Sequence, residues 1–120
     1  MRKMKLFAGL DIGTDGARID VMTEELVLKY ENSIHYELFS PQQGWAEQDP
    51  EQIFQVVSTL LAEVVKKFGE EDLYIIFCSV MHSIMPVDKE GNKLSNLIIW
   101  ADSRGEKYRD KLSQNYDSDL

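Results

Sequence analysis

The sequence predicts an α/β domain built on a mixed sheet. Three features point there: strand-length alternations of apolar and polar residues before residue 38, one long amphipathic stretch that starts near residue 50, and a wholly apolar run directly after it. In the first strand Leu6, Ala8, Leu10 and Ile12 share a face, and Phe7 makes the other face apolar as well, as in a central strand. The second sets Ala17, Ile19 and Val21 against Arg18, Asp20 and Met22. The third runs from Leu26 to Glu37 with one wet face, and the short links make the three an antiparallel meander.

The stretch from Ser40 to Pro50, "SPQQGWAEQDP", reads as a loop too polar for a core. Its end reads as a helix start: Asp49 as cap, Pro50 at the first helical position, and Gln52 reaching back as in a capping box. Ile53, Val57, Leu60, Leu61, Val64 and Phe68 make the helix's apolar stripe, and Gly69 stops it. "LYIIFCSV", Leu73 to Val80, is apolar on both faces and reads as a buried strand, parallel to a neighbour because a helix connects them. A small hairpin follows across Ile84–Leu94 through "KEGN", then a strand from Leu97 to Ala101. Ser103 and Glu106 suggest a capping box for a last helix whose stripe, Tyr108, Leu112 and Tyr116, is thin. So poor an ending reads better as part of a longer protein than as a terminus.

Composition limits the function classes. At 120 residues with 43% hydrophobic and 28% charged residues, the chain suits one globular domain. A net charge of -8 repels nucleic-acid backbones and anionic membranes, so neither is an expected partner. The lone Cys78 lies in the apolar run and reads as a buried structural thiol, which together with the absence of a long apolar segment suits the cytoplasm.

Three constellations carry candidate chemistry. After the first strand, Asp11-Ile12-Gly13-Thr14 is either a plain hairpin or an anion nest. In the nest reading Gly13 and Gly16 adopt positive φ to aim N–H groups inward, and Thr14 adds a hydroxyl. Asp11 could hold a Mg²⁺-bound water, and Arg18 could offset charge on a transferring phosphoryl group. The spacing is not that of a Walker A loop. Met81, His82 and Ser83 follow a strand end, where α/β sheets bind ligands; His82 is either structural or a hydrogen-bonding partner for a ligand. Trp100, Asp102 and Arg104 offer a ring face for a sugar and directed polar contacts, or else a core Trp beside a helix cap. Trp45 could be a buried ring fixing its loop, with Glu47 solvated.

Taken in order, "GLDIGTDGAR", "GWAEQDP", "SVMHSIMPVDKEGNKL" and "IIWADSR" resemble the opening of an FGGY-family carbohydrate kinase, with "MHS" and "WADSR" most similar to the gluconate kinases. Xylulose kinases share the G-W-x-E-Q loop. The resemblance implies a ribonuclease H-like domain of the actin/hexokinase/Hsp70 type with a mixed five-stranded sheet. It implies phosphate and Mg²⁺ binding at Asp11, Gly13, Thr14 and Arg18, and sugar or sugar-acid binding at Met81, His82, Trp100, Asp102 and Arg104. ATP and Mg²⁺ are the implied cofactors. Residues 1–120 would be the N-terminal part of the family's N-terminal domain, with the general-base aspartate and the adenosine-binding lobe beyond them, so the chain alone is expected to lack kinase activity. One departure stands out: Asp15 and Gly16 occupy positions where the family usually carries hydroxyl residues, and a carboxylate there would repel ATP unless it pointed away or helped with Mg²⁺. Three rivals are a kinase of the same family acting on xylulose or another pentulose, a metal-dependent nuclease on the same fold, needing more acids around Asp11 and a basic groove, and an interaction module that forms a homodimer through an open sheet edge.

Overall fold

A computed structural model describes residues 2–115. Its elements are strands β1 (Lys5–Ile12), β2 (Gly16–Thr23), β3 (Leu28–His35) and β4 (Glu47–Gln48), helix α1 (Pro50–Phe68), strands β5 (Asp72–Ser79) and β6 (Leu97–Ile98), and a short helix α2 (Arg109–Ser113) after a 3-10 turn at Glu106–Tyr108. They form two compact units, residues 2–38 with 49–81 and residues 39–48 with 82–115.

The first unit is a four-stranded sheet in the order β3-β2-β1-β5, antiparallel except for the β1–β5 pair. The alternation read from the sequence decides what is buried. Leu6, Ala8 and Leu10 of β1 and Ala17, Ile19 and Val21 of β2 share one face, and Val56, Leu60 and Val64 of α1 complete the core there. Each Leu, Ile or Val side chain so removed from water contributes about 1.5–3 kcal/mol. The helix begins as expected: an Asp49 carboxylate oxygen accepts the Glu51 N–H at 3.0 Å, with Pro50 at the start. Gln52 does not close a capping box. Its side-chain oxygen accepts the Glu37 N–H at 3.1 Å and ties α1 to the segment after β3. Gly69 ends the helix with its N–H on the Val65 carbonyl, in right-handed rather than left-handed conformation.

Three expectations for this unit need correction. The third strand starts at Leu28, because Leu26 sits at φ 62 in a turn whose Glu25 and Val27 N–H groups donate to the Thr23 hydroxyl. β5 is parallel to β1 as read, but it is an exposed edge among the described residues, with Ile76 75% and Phe77 70% accessible. Cys78 is therefore exposed, not buried. Phe7, on the side of β1 away from α1, is also accessible and stacks on Tyr74 at 5.3 Å between ring centroids.

In the second unit β4 and β6 pair antiparallel, Glu47 with Ile98 and Gln48 with Leu97. The expected strand at 97–101 is thus two residues long and belongs to a separate ladder, so the main sheet has four strands among the described residues rather than five. The polar loop is also less wet than its composition implies: Ala46, Glu47 and Gln48 are all buried. The small hairpin forms, with Val87 opposite Lys93 and Gly91 at φ 87. Asp88 steadies its turn by accepting the Glu90 and Asn92 N–H groups and the Asn92 side-chain amide. The Ser103 capping box does not form, because the hydroxyl donates to the Gly44 carbonyl instead. Tyr108 and Leu112 are exposed, and Tyr116 lies outside the described residues.

Candidate functional site

β1 and β5 run parallel in register, Asp11 beside Cys78 and Ile12 beside Ser79, and the Val80 N–H donates to the Ile12 carbonyl at 3.1 Å. The turn after β1 and the residues after β5 therefore leave the same edge of the sheet, the carboxyl end of two parallel strands, where open α/β sheets bind ligands. Asp11 is exposed there, and the register puts it on the open face with Arg18, Ser33 and Cys78.

The turn is built differently from a glycine nest. Neither Gly13 nor Gly16 takes a positive φ, and the Gly13 N–H donates to the Gly16 carbonyl at 2.9 Å. Gly16 is needed for space: a Cβ there would lie 2.5 Å from the Ile34 carbonyl oxygen, where β3 passes close. Tyr36, buried just past β3, donates its hydroxyl to the Gly13 carbonyl. Its N–H donates to the Asp15 carbonyl at 3.3 Å, and His35 Nδ1 lies 3.1 Å from the same oxygen. Burial, with the Asp11 and Asp15 carboxylates nearby, pushes the Tyr36 phenol above its ordinary pKa. Sequence reasoning took Tyr36 only as one apolar position of a strand. Its bond spans 23 residues and leaves no local signal.

Arg18 faces along the sheet. Its Nε lies 3.0 Å from Asp20 and its Nη2 2.7 Å from Glu31, and these two acids, Asp20 foremost, raise its pKa. At the end of β5, Met81 is exposed, and His82 is held at φ 62, a left-handed conformation costly for a residue with a Cβ. His82 itself is exposed, and the Ser83 hydroxyl is buried.

In the second unit Trp100 is exposed, whereas Asp102 and Arg104 turn inward. Asp102 Oδ1 accepts from the Arg104 N–H and Nε, and Oδ2 from the Ala46 N–H and Arg104 Nη2, at 2.7 to 2.9 Å. The Arg104 guanidinium beside it, helped by these backbone donors and opposed by burial, lowers the Asp102 pKa to about 2. Arg104 also donates to Glu47 at 2.6 Å and lies 3.7 Å over the Trp45 ring, so Glu47 is paired rather than solvated. With each Asp102 oxygen already accepting two bonds from the protein, the Asp102–Arg104 pair fixes the 44–47 loop. Trp45 and Glu47 join Tyr36 among the residues whose partners the sequence did not reveal.

The turn offers a hydrated Mg²⁺ carried by a nucleotide one accessible carboxylate, Asp11, and a neighbouring hydroxyl, Thr14, while its two glycines are packed against the chain's own backbone. Among the described residues no group of three His, Cys, Asp or Glu side chains is placed to hold a metal, so the further acids a nuclease would need around Asp11 do not gather there. No helix of the described residues is long and apolar enough to cross a membrane.

Comparison with known proteins agrees with the fold. Residues 6–119 match the FGGY family of carbohydrate kinases, N-terminal domain. The chain is 36% identical over 107 residues to a gluconokinase of Bacillus subtilis (strain 168), covering 88% of this chain and 21% of that one. It is 27% identical over 113 residues to a xylulose kinase of Staphylococcus xylosus, covering 93% and 23%. The crystal structure of gluconate kinase from Lactobacillus acidophilus superposes with a TM-score of 0.83 at 25% identity, over 93% of this chain and 23% of that one. The chain thus spans about a fifth of the length of the curated relatives it matches. The architecture is the ribonuclease H-like fold of these kinases, and the chain belongs to the FGGY family of carbohydrate kinases.

Proposed function

We propose that this chain supplies the phosphate-facing turn and part of the sugar pocket of an ATP-dependent kinase that phosphorylates a sugar acid, D-gluconate, on its primary hydroxyl to give 6-phosphogluconate. The carrying observation is that the Asp11–Thr14 turn and Met81 leave the sheet at one edge, the carboxyl ends of adjacent parallel strands. The choice of gluconate is supported by the 36% identity to a gluconokinase. A xylulose substrate is the second reading, supported by the 27% identity to a xylulose kinase.

ATP and Mg²⁺ would supply the phosphoryl group and neutralise its charge. The chain's own residues position. Asp11 would hold a water of the Mg²⁺, and Thr14 would bring its amide and hydroxyl up to phosphate from a turn that Gly13 closes with its N–H on the Gly16 carbonyl. Arg18, already paired with Asp20 and Glu31, contributes field rather than a direct contact. Met81 in the first unit and His82 and the exposed Trp100 in the second are the residues offered to the sugar acid, and Asp102 with Arg104 holds the 44–47 loop of the second unit in shape. In this reading residues 1–120 form the N-terminal part of the family's first domain, the base that takes the hydroxyl proton lies further along the parent protein, and the isolated chain releases no ADP.

Titration of the full 120-residue chain with D-gluconate and with xylulose, followed by NMR at the His82 imidazole and Trp100 indole, tests the substrate. Gluconate is expected to shift both signals and xylulose to shift them less. The reverse order would replace gluconate by a pentulose, and no shift from either would remove these residues from the pocket.

A further inference from the structure

The turn after β1 owes its shape to groups on β3 and just beyond it. Two turn carbonyls, Gly13 and Asp15, accept from that side: Gly13 from the Tyr36 hydroxyl, Asp15 from the Tyr36 N–H, with the His35 ring nitrogen beside it. In a planar trans peptide the C=O and the following N–H point in opposite directions. Anchoring the Gly13 carbonyl therefore sets the direction of the Thr14 N–H, and anchoring the Asp15 carbonyl sets that of Gly16. Tyr36 is buried, so its hydroxyl is held by packing, and the Gly13 carbonyl is its partner. The turn has no left-handed glycine, so these anchors, together with the Gly13 N–H on the Gly16 carbonyl, orient it.

We propose that Tyr36 is a positioning residue for the phosphate turn. Its hydroxyl holds the Gly13 carbonyl back toward β3 and so aims the Thr14 amide at the phosphate, with His35 doing the same more weakly for Gly16 through Asp15. This rests on reading the turn as the phosphate site. The same anchors turn the Asp15 carbonyl, though not its carboxylate, away from that site.

The test uses the full chain, ¹⁵N-labelled, as wild type, Tyr36→Phe, His35→Ala and Tyr30→Phe. The last removes a different hydrogen bond, from Tyr30 to Glu63 at 2.7 Å, toward the other end of β3, where Tyr30 lies opposite Val21 rather than Gly16. Residual dipolar couplings report the N–H directions of Thr14 and Gly16, and MgATP titration reports binding at the same amides. Y36F is expected to reorient the Thr14 N–H and weaken MgATP about 10-fold, the loss of one hydrogen bond's worth of alignment. H35A, at an exposed position, is expected to move Gly16 only, and Y30F to leave both within about 2-fold of wild type. An unchanged Thr14 coupling in Y36F, or an equal loss of MgATP binding in Y30F, overturns the positioning role. If Y36F does not fold, a wild-type Tyr36 hydroxyl proton that exchanges with solvent as freely as that of the exposed Tyr108 overturns the anchoring scheme. If Thr14 reorients in Y36F but wild-type turn amides ignore MgATP, Tyr36 anchors the turn and the phosphate reading is the part that fails.

Discussion

Asp102 is a motif residue whose hydrogen-bond partners all belong to its own chain. Its carboxylate lies among four donors, and only 3% of the side chain is accessible. The Arg104 guanidinium holds its pKa at about 2, against an ordinary 3.8. A depressed folded-state value stabilises the charged form, so this contribution is complete above about pH 4 and disappears as the pH falls toward 2. Asp102→Asn is expected to lower the urea-unfolding free energy by about 3 kcal/mol at pH 7, because it leaves the Arg104 charge half-paired. The variant should also lose less further stability than wild type between pH 4 and 2. Parallel acid titrations of the two proteins would expose a solvated, unimportant carboxylate if they fell together.

Among the elements, α1 and β5 are opposites. The α1 start was legible because its signals are local: Asp49, Pro50 and the 3.6-residue stripe lie within one stretch of chain. β5 was legible as a strand and as parallel to β1, but its apolar run did not reveal what covers it. Sequence carries hydrophobicity and not the identity of the neighbour, and among the described residues Ile76 and Phe77 are open. The same reasoning explains Tyr36, Glu47 and the 44–47 loop, whose partners lie 23 to 59 residues away. Two aliphatic truncations separate hydrophobicity from burial. Leu60→Ala, in the fully buried α1 stripe, should cost about 3 kcal/mol. Ile76→Ala, on the open edge, should stay within about 0.5 kcal/mol. Equal costs by urea denaturation would mean that β5 is covered in solution.

For the whole molecule, each motif was weak alone, and their order along the chain gave the family away, since one site needs the ends of several distant elements. What composition, periodicity and spacing could not supply is the substrate, because gluconate and xylulose kinases share these elements. The central claim is that the edge holding Asp11 serves phosphoryl transfer to a sugar acid. The most direct measurement places this chain in Bacillus subtilis gluconokinase in place of the matching segment and follows substrate-dependent ADP release, with and without Asp11→Asn. The account predicts a kcat/KM for gluconate at least about 10-fold above that for xylulose, and a kcat reduced about 100-fold by the substitution. A folded hybrid that prefers xylulose, or that keeps its full kcat without the Asp11 carboxylate, would contradict it.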